Sequence, residues 1–529
     1  MCLFQRFIIL LPIFLFLSFL SVAHANSLSV KSKTLKNGAR FEPTKCWFDL
    51  TSLPSGFKGL SWASGFKVRR IECGHFFTRK EQGKSFFRLP IVIIRDSLWN
   101  NSKNPVLHIA GGPGGSSWLN QKDISEFWLP YIDKADWQHD IVLFDARGTG
   151  LSKPALHCDY LFEDSLALLG KAFQPEEEAK SYYNLAKKCY QKLVKNQDQL
   201  AALKQLGTPK SADDLADLAN LLGIESWHLF GVSYGTRLAL EVERRHPDKV
   251  ASLILDSVYP QEIDGEETLP SLYLDSLEGI INACATDPHC SKHYAHLGNK
   301  LHDVLRRLQK KPMTLMLKDG NKPIKFVLTP SRLFSVLFDA AYSIESIVIV
   351  PNAIHSLYAG NTDPVHFLAQ LSLELMRDKD FSNPVFMEVQ CNENEIKNQK
   401  RHVENIIKKY KNYPILKRWQ LAFFTENVCK SWGAEEVDQS FHRPVDSEKP
   451  VLIFAGKFDN VTPSKWGRML AKRLAKSEYH EFKASGHGVL FDVDCAKKIV
   501  RRFLNPEKNY SHDCQSKGRI LWEAPDVKG

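Results

Sequence analysis

A serine at position 233 stands between two glycines in the stretch G-V-S-Y-G, which runs from Gly231 to Gly235. This frame is typical of a nucleophile on a sharp strand-to-helix turn, where any Cβ at the glycine positions would collide with neighbouring backbone. A serine hydroxyl becomes an effective nucleophile only when a histidine accepts its proton and an acid fixes the tautomer of that histidine. The alternative is an ordinary loop serine, so the prediction for Ser233 depends on its surroundings.

The acid and the base are predicted downstream of the serine. Asp459 follows an apolar run in "VLIFAGKFDNVTP", and His487 follows the next such run in "EFKASGHGVLF". The order serine, acid, histidine is the one that accompanies this type of turn. Asp256, at the end of "LILDS", is the competing acid, and the G-x-x-D-x-x-T-P setting favours Asp459. Taken singly, His487 is equally compatible with a turn histidine and Asp459 with an acid that closes a local turn.

A glycine-rich loop, "AGGPGGSSW" from Ala110 to Trp118, follows an apolar run and supplies the remaining group that acyl transfer needs. The negative oxygen of a tetrahedral intermediate is stabilised by backbone N–H donors. We predict that Gly111 or Gly112 supplies one donor and that Tyr234, the residue after the serine, supplies the other. A phosphate cradle is the alternative, but the loop lacks the G-K-[ST] and G-x-G-x-x-G patterns.

The elements that must position these residues are short apolar runs that alternate with helical stretches. Buried strands of a parallel sheet in an α/β protein are predicted at 106–111, 140–148, 226–231, 250–257, 451–456 and 478–483. In "SADDLADLANLLG", Ser211 is the predicted N-cap and Asp214 holds the capping-box position. Helix, strand, sharp turn and helix therefore follow in order around Ser233.

Composition excludes other classes of protein. The 70 Lys and Arg residues exceed the 60 Asp and Glu residues by ten, and they are spread along the chain rather than clustered. We therefore predict no nucleic-acid partner. No C-x-x-C or H-E-x-x-H spacing is present, so neither a metal nor another cofactor is predicted.

The first 25 residues are predicted to be a secretory signal peptide. Arg6 precedes an apolar stretch from Phe7 to about Val22, and Ala23 and Ala25 form a small-x-small close, so cleavage is expected after Ala25. The alternative is an uncleaved membrane anchor. We predict a secreted or periplasmic protein with no stable membrane insertion after cleavage, and the sequence leaves its oligomeric state open.

Ten cysteines follow the signal, an even number that in an exported chain indicates disulfides. They fall in close successive pairs. Pairing between neighbours is therefore expected, with Cys284 to Cys290 and Cys495 to Cys514 as the firmest pairs.

Five motifs together resemble one family. "AGGPGGSS", "DARGTGLS", "GVSYGT", "FAGKFDNVTP" and "ASGHGVL" occur in this order, and they are similar to the prolyl aminopeptidase and tripeptidyl aminopeptidase group of serine α/β-hydrolases, especially its secreted branch with cysteines. The resemblance runs from about Cys46 to Cys514. One departure is Ala110, where the common H-G-G-P-G pattern has histidine; His108 lies two residues earlier, where a core role is expected.

The resemblance implies an α/β-hydrolase fold with a mostly parallel central sheet and an inserted, mainly helical cap. It implies Ser233 as nucleophile, Asp459 as acid and His487 as base, with an oxyanion hole made by the glycine loop and Tyr234. Asp145 and Arg147 of "DARGTG" would brace this region, or would form a surface ion pair.

The predicted organisation is a signal at 1–25, the first part of the core at 26–262, a cap at 263–445 and the second part of the core at 446–529. Enzymes that bind a free N-terminus need a carboxylate for the ammonium group, and Glu393 in "VQCNENE" is our candidate, with Glu388 and Glu395 behind it. A solvated acidic turn is the alternative.

Two enzymatic functions remain open. One is an aminopeptidase that releases N-terminal residues or short peptides through an acyl-enzyme. The other is an esterase or amidase that acts on small acyl compounds with the same residues. A third, non-catalytic binding protein would be expected to lack one of the three groups, and all three are present.

Overall fold

A computed structural model describes most of the chain. The described residues are 31–50, 70–81, 83–96, 104–158, 160–394, 399–425, 429–508, 510, 514 and 520–524. The predicted signal and Glu395 lie outside them. No helix within these ranges is both long and apolar enough to span a membrane.

The strands of the described residues form one large sheet and two small hairpins. In chain order they are β1 Lys33–Thr34, β2 Arg40–Thr44, β3 Arg70–Phe77, β4 Lys80–Glu81, β5 Lys84–Ser85, β6 Arg88–Arg95, β7 Val106–Ile109, β8 Ile141–Phe144, β9 Trp227–Val232, β10 Val250–Asp256, β11 Met313–Asp319, β12 Lys322–Leu328, β13 Val451–Gly456 and β14 Ser477–Phe482. The large sheet has the order β1-β2-β3-β6-β8-β7-β9-β10-β13-β14. Strands β8, β7, β9, β10, β13 and β14 are parallel, whereas β1, β2, β3 and β6 form an antiparallel edge.

The α-helices of the same residues flank this sheet or lie above its carboxyl edge. They are α1 Gln121–Asp123, α2 Leu129–Ala135, α3 Tyr160–Leu169, α4 Pro175–Leu193, α5 Gln197–Leu203, α6 Thr208–Leu222, α7 Tyr234–Arg245, α8 Gly265–Thr286, α9 Pro288–His293, α10 Leu297–Lys310, α11 Pro330–Asp339, α12 Ile344–Ile347, α13 Val350–Ala359, α14 Asp363–Met376, α15 Asn383–Glu393, α16 Gln399–Lys409, α17 Pro414–Thr425, α18 Cys429–Trp432, α19 Ser464–Arg473, α20 Val489–Asp492 and α21 Asp494–Leu504. A π-helical turn, Ile124–Trp128, joins α1 to α2.

The core is built by strands that are buried on both faces. Leu229 of β9 and Ile453 of β13 pack in one hydrophobic cluster with helices α6 and α7, whereas their neighbours Phe230 and Leu452 pack in a second cluster with α2 and α21. Successive side chains of a strand point to opposite faces, so continuous apolar runs are what a sheet covered by helices requires. The six predicted parallel strands are all present, within a few residues of the predicted bounds.

We call the elements from Gly265 to Trp432 the cap, and most of them share a hydrophobic cluster of their own. The antiparallel hairpin β11–β12 is part of this cluster, so the cap is mainly but not wholly helical. Helix α3, which precedes Ser233 in the chain, contributes Leu166 and Leu169 to the same cluster. A buried ion pair of 2.8 Å between Glu178 of α4 and Arg332 of α11 adds a second link from this earlier segment to the cap.

One predicted helix start is wrong. Helix α6 begins at Thr208, with Gly207 as N-cap, and Ser211 lies inside its first turns. Pro209 near the first helical position has no N–H that would need a partner, so it favours the earlier start. Asp214 is not part of a capping box but pairs with a buried arginine described below.

The predicted pairing of neighbouring cysteines is confirmed. The disulfides join Cys46 to Cys73, Cys158 to Cys189, Cys284 to Cys290, Cys391 to Cys429, and Cys495 to Cys514.

Candidate active site

Ser233 occupies the turn between strand β9 and helix α7, with φ of 58° and ψ of −125°. Such angles are uncommon for a residue with a side chain and store strain at functional sites. A Cβ at Gly231 would lie 2.5 Å from the carbonyl oxygen of Gly235, and a Cβ at Gly235 would lie 2.1 Å from the carbonyl oxygen of Ile109. Both glycines are therefore required by close backbone approach, as the sequence predicts for a nucleophile turn.

Asp459 and His487 meet at the carboxyl ends of strands β13 and β14. His487 Nδ1 lies 2.9 Å from Oδ2 and 3.0 Å from Oδ1 of Asp459. The backbone N–H groups of Val461 and Thr462 donate to Oδ1, and the Thr462 hydroxyl donates to Oδ2. Because Nδ1 faces the carboxylate, Nε2 is the ring nitrogen left for Ser233, which lines the same cavity as His487.

Asp256, the competing acid, lies behind His487 rather than against its imidazole Nδ1. Its carboxylate accepts hydrogen bonds from the backbone N–H groups of Val489 (3.0 Å) and Leu490 (2.7 Å), and the Ser257 hydroxyl accepts one from Gly488. Burial raises the pKa of Asp256 to about 7, against the opposing effect of these N–H donors. Asp256 thus holds the backbone that follows the histidine, whereas Asp459 contacts the ring.

The glycine loop lies beside the serine. A Cβ at Gly111 would lie 3.1 Å from the Ser233 Cβ and 3.6 Å from its Oγ, so a side chain here would crowd the serine. Gly112 has φ of +115° and precedes Pro113 through a cis peptide bond. Tyr234 begins helix α7, where backbone N–H groups have no partner within the helix. The predicted oxyanion residues are therefore adjacent to the predicted nucleophile.

Buried polar groups fix the base of this loop. Asp145 accepts hydrogen bonds of 2.8 Å from the backbone N–H groups of Ser117 and Leu151, and burial raises its pKa to about 7. Arg147 does not pair with Asp145; its guanidinium donates twice to Asp214, at 2.6 and 2.8 Å, and this pair is almost fully buried. Asp145 and Arg147 therefore brace the region around the glycine loop, as the first alternative predicts, and they do not form the surface ion pair of the second.

A cavity of about 640 Å³ connects these groups with the cap. Its core wall includes Ser233, His487 and the glycine loop, and its cap wall includes Tyr273, Asp339 and Tyr342. The Tyr342 carbonyl accepts a hydrogen bond of 2.9 Å from the His487 backbone N–H. The cap therefore contacts the predicted base directly, and the cavity can enclose an acyl or peptide group over the serine.

Comparison with known families identifies the fold. The family described as alpha/beta hydrolase fold matches residues 104–494, which is most of the chain. The chain belongs to the alpha/beta hydrolase family. The resemblance and the fold predicted from the motifs are thereby confirmed, and the protein is an enzyme of the serine hydrolase class.

This α/β-hydrolase has several curated relatives. It is 22% identical over 454 residues to a tripeptidyl aminopeptidase of Streptomyces lividans. The alignment covers 82% of this chain and 81% of the relative. It is 29% identical over 159 residues to serine protease Hip1 of Mycobacterium tuberculosis, covering 28% and 30% of the two chains. A solved serine hydrolase from Cycloclasticus zankles is 13% identical, with a TM-score of 0.36 over 83% of this chain and 100% of that one.

Glu393, the predicted ligand of the substrate amine, is not among the residues that line the cavity of the α/β-hydrolase. It is 1% exposed, its Oε1 accepts a hydrogen bond of 2.7 Å from the Thr208 backbone N–H, and its Oε2 lies 3.8 Å from Arg237. Burial raises its pKa and the nearby guanidinium opposes this effect. This position does not support a contact between Glu393 and the substrate. Glu388, the second choice, instead accepts a hydrogen bond from the Trp432 indole.

Most of the cap residues that line the cavity were not predicted, and two of them, Asp339 and Tyr342, bear on its chemistry. Asp339 ends the apolar helix α11, and Tyr342 follows it, with its ring 5.4 Å from that of His487. Neither residue stands in a recognisable motif, so the local sequence carries no signal for them. His108 also lines the cavity, but it has the expected core role, since it is 2% exposed and packed between Trp128 and Phe230, and burial lowers its pKa to about 3.

The pKa of His487 leads to a prediction about the pH dependence of the α/β-hydrolase. Burial lowers this pKa, but the adjacent Asp459 carboxylate outweighs burial, so the pKa lies above the ordinary value of 6.5. A general base must be neutral, so reactivity of Ser233 rises with pH and levels off only above the pKa of His487. We expect the rate of Ser233 phosphonylation by a fluorophosphonate to rise with a midpoint above pH 6.5. A midpoint below 6.5 would contradict the assignment of the base.

Proposed function

We propose that this α/β-hydrolase is an aminopeptidase with Ser233 as nucleophile, His487 as general base and Asp459 as the acid that orients it. The observation that carries this proposal over an esterase is a cap carboxylate, Asp339, on the wall of the cavity that also contains Ser233 and His487. A substrate with a free N-terminus brings an ammonium group that such a carboxylate can bind, whereas a simple ester has none.

Asp339 has the surroundings of an ammonium ligand. It is half-buried and accepts a hydrogen bond from the Ser372 hydroxyl, and among the described residues no lysine or arginine forms an ion pair with it. Burial raises its pKa to about 6. An ammonium group in the cavity would favour the ionised carboxylate and lower this pKa, so Asp339 and the substrate would stabilise each other's charges.

The proposed reaction has two halves. The Ser233 oxygen attacks the scissile carbonyl carbon while His487 Nε2 takes the hydroxyl proton, and the resulting oxyanion accepts hydrogen bonds from the N–H of Tyr234 and of Gly111 or Gly112. The carbon–nitrogen bond then breaks as His487 returns the proton to the leaving amine. Water attacks the acyl-enzyme in the same way, which releases the N-terminal fragment and restores Ser233.

The experiment compares matched chromogenic peptides, free and acetylated at the N-terminus, with a simple ester. An aminopeptidase is expected to cleave the free-amine peptide and to leave the acetylated one intact. Mass spectrometry of the products gives the number of residues removed. If only the ester is cleaved, the proposed aminopeptidase function is wrong and the enzyme is an esterase that uses the same serine mechanism.

Asp339→Asn is the sharper test of the ammonium site. Loss of a charged hydrogen bond of about 1.5–3 kcal/mol is expected to lower kcat/KM for the free-amine peptide by about 10- to 100-fold, with ester hydrolysis little changed. Asp378→Asn is the matched control, since Asp378 lines the same cavity but is exposed, where solvent screens its charge. Equal losses in the two variants, or an equal loss with the ester, would contradict this role.

We also propose that the protein is exported to the periplasm or the medium. The five disulfides support this proposal, because such bonds persist in oxidising compartments. Sequencing the N-terminus of the mature protein tests it, with Asn26 as the expected first residue.

A further inference from the structure

Helix α15 differs from most other cap helices in what it touches, and among the described cap helices it shares the hydrophobic cluster of the sheet only with the short helix α18. Val385 and Val389 pack in the hydrophobic cluster of the sheet and helix α7, whereas most of the cap has a separate cluster. Phe386 and Gln390, four residues apart and so on one face of the helix, line the catalytic cavity. The helix therefore lies between the substrate cavity and the core.

The first turn of α15 is bonded to the glycine loop. The backbone N–H of Ser382, the N-cap, donates to the Gly114 carbonyl at 2.8 Å, and the Ser382 hydroxyl donates to the Leu156 carbonyl. The approach is so close that a Cβ at Gly114 would lie 2.5 Å from the Ser382 carbonyl oxygen. This end of the helix fixes the loop that carries Gly111.

The last residue of α15 is linked through Thr208 to the side chain of Tyr234, the residue whose backbone N–H is the second proposed oxyanion donor. Glu393 accepts the Thr208 backbone N–H at 2.7 Å, and the Thr208 hydroxyl lies 2.6 Å from the Tyr234 hydroxyl. Arg237, one turn after the serine, lies 3.8 Å from Glu393 and donates to the carbonyls of the segment after β10, including that of Ile263 at 2.7 Å. Glu393, Thr208, Tyr234 and Arg237 are all buried.

We propose that helix α15 is a clamp that sets the distance between the two halves of the oxyanion hole, with Glu393 as a positioning residue that acts on Tyr234 through Thr208. This inference rests on the proposed use of the Tyr234 N–H as an oxyanion donor. Glu393 then contributes to stabilising the transition state without touching the substrate. Because a donor must lie about 2.7–3.1 Å from the oxyanion, a small displacement of Tyr234 weakens the transition state more than the bound substrate.

The test uses a matched pair at Thr208, with the substrate that the wild type cleaves best, whether peptide or ester. Thr208→Val keeps the backbone N–H for Glu393 and removes the hydroxyl beside Tyr234; Thr208→Ser keeps both. We expect Thr208→Val to lower kcat by about tenfold or more with KM unchanged, and Thr208→Ser to stay within about threefold of wild type. Glu393→Ala should resemble Thr208→Val and Glu393→Gln, which keeps an acceptor for Thr208, should recover part of the loss.

A boronic acid that carries the acyl part of the substrate forms an adduct with Ser233 that resembles the tetrahedral intermediate. Its affinity therefore distinguishes a displaced oxyanion donor from a general loss of folded enzyme. Its affinity should fall by the same factor as kcat, with rates normalised to sites titrated by a fluorophosphonate. The proposed role of α15 would be contradicted if Thr208→Val left kcat and boronate affinity unchanged. It would also be contradicted if the variant changed only KM, or only the fraction of sites that the fluorophosphonate labels. If Glu393→Ala does not fold, the Thr208 pair decides. A wild type in which neither reagent reacts at Ser233 would instead overturn the proposed function.

Discussion

Ser233→Ala is expected to lower kcat by about a million-fold while the fold is retained, because the hydroxyl is the proposed nucleophile that bonds to the substrate. Alanine keeps the Cβ already present in the turn, so the strained backbone at φ of 58° gains no new clash. Steady-state kinetics and labelling with a fluorophosphonate measure the effect, and an unchanged melting temperature serves as the control. Activity within about tenfold of wild type would show that another residue is the nucleophile.

Asp459→Asn is expected to lower kcat by about 10⁴-fold, since the carboxamide no longer fixes the tautomer of His487 or stabilises its protonated form. With the carboxylate gone, burial of the imidazole is the dominant influence, so the pKa of His487 should fall. The midpoint of the pH profile should therefore move to lower pH, and the maximal rate at high pH should be much lower than that of the wild type. Phosphonylation rates between pH 5 and 9 measure both effects.

Asp256→Asn is the matched control for this second prediction. Its carboxylate binds the backbone after the histidine, so the main expected effect is a loss of about 1–3 kcal/mol in the free energy of unfolding, with kcat reduced by less than about tenfold. Both are acids at the carboxyl ends of parallel strands, yet only Asp459 contacts the ring. A larger loss of kcat in Asp256→Asn than in Asp459→Asn would reverse the assignment of the acid.

Local sequence was sufficient for the parts of the site that lie on the core. The turn at Ser233, the loop at Gly111 and the residues Asp459 and His487 each follow an apolar strand, and parallel strands bring their carboxyl ends to one edge of the sheet. Their spatial relation therefore follows from chain order and strand type. The cysteine pairs were likewise predictable, because partners close in sequence are easily brought together.

The cap residues were not predictable for a physical reason. Asp339 reaches the cavity because helix α11 packs against other cap helices that are distant in sequence, and no local pattern specifies that packing. The sequence places Glu393 two residues after Cys391, but it does not reveal that the end of α15 lies against Thr208. The antiparallel strands β3 and β6 were also missed, since β3 mixes charged and apolar residues and β6 contains Pro90.

The hydrogen bond between the His487 backbone N–H and the Tyr342 carbonyl holds the cap against the loop that carries His487, and this contact limits how a substrate can enter the cavity. Gly486, just before the histidine, is pressed against the same segment, where a Cβ would lie 2.4 Å from the Tyr342 carbonyl oxygen. Lifting this part of the cap would remove a support of His487, so, with His487 as the proposed general base, opening here would interrupt proton transfer. A peptide substrate of the proposed aminopeptidase would then have to enter with Tyr342 docked, a constraint that the end of a chain meets more readily than its middle.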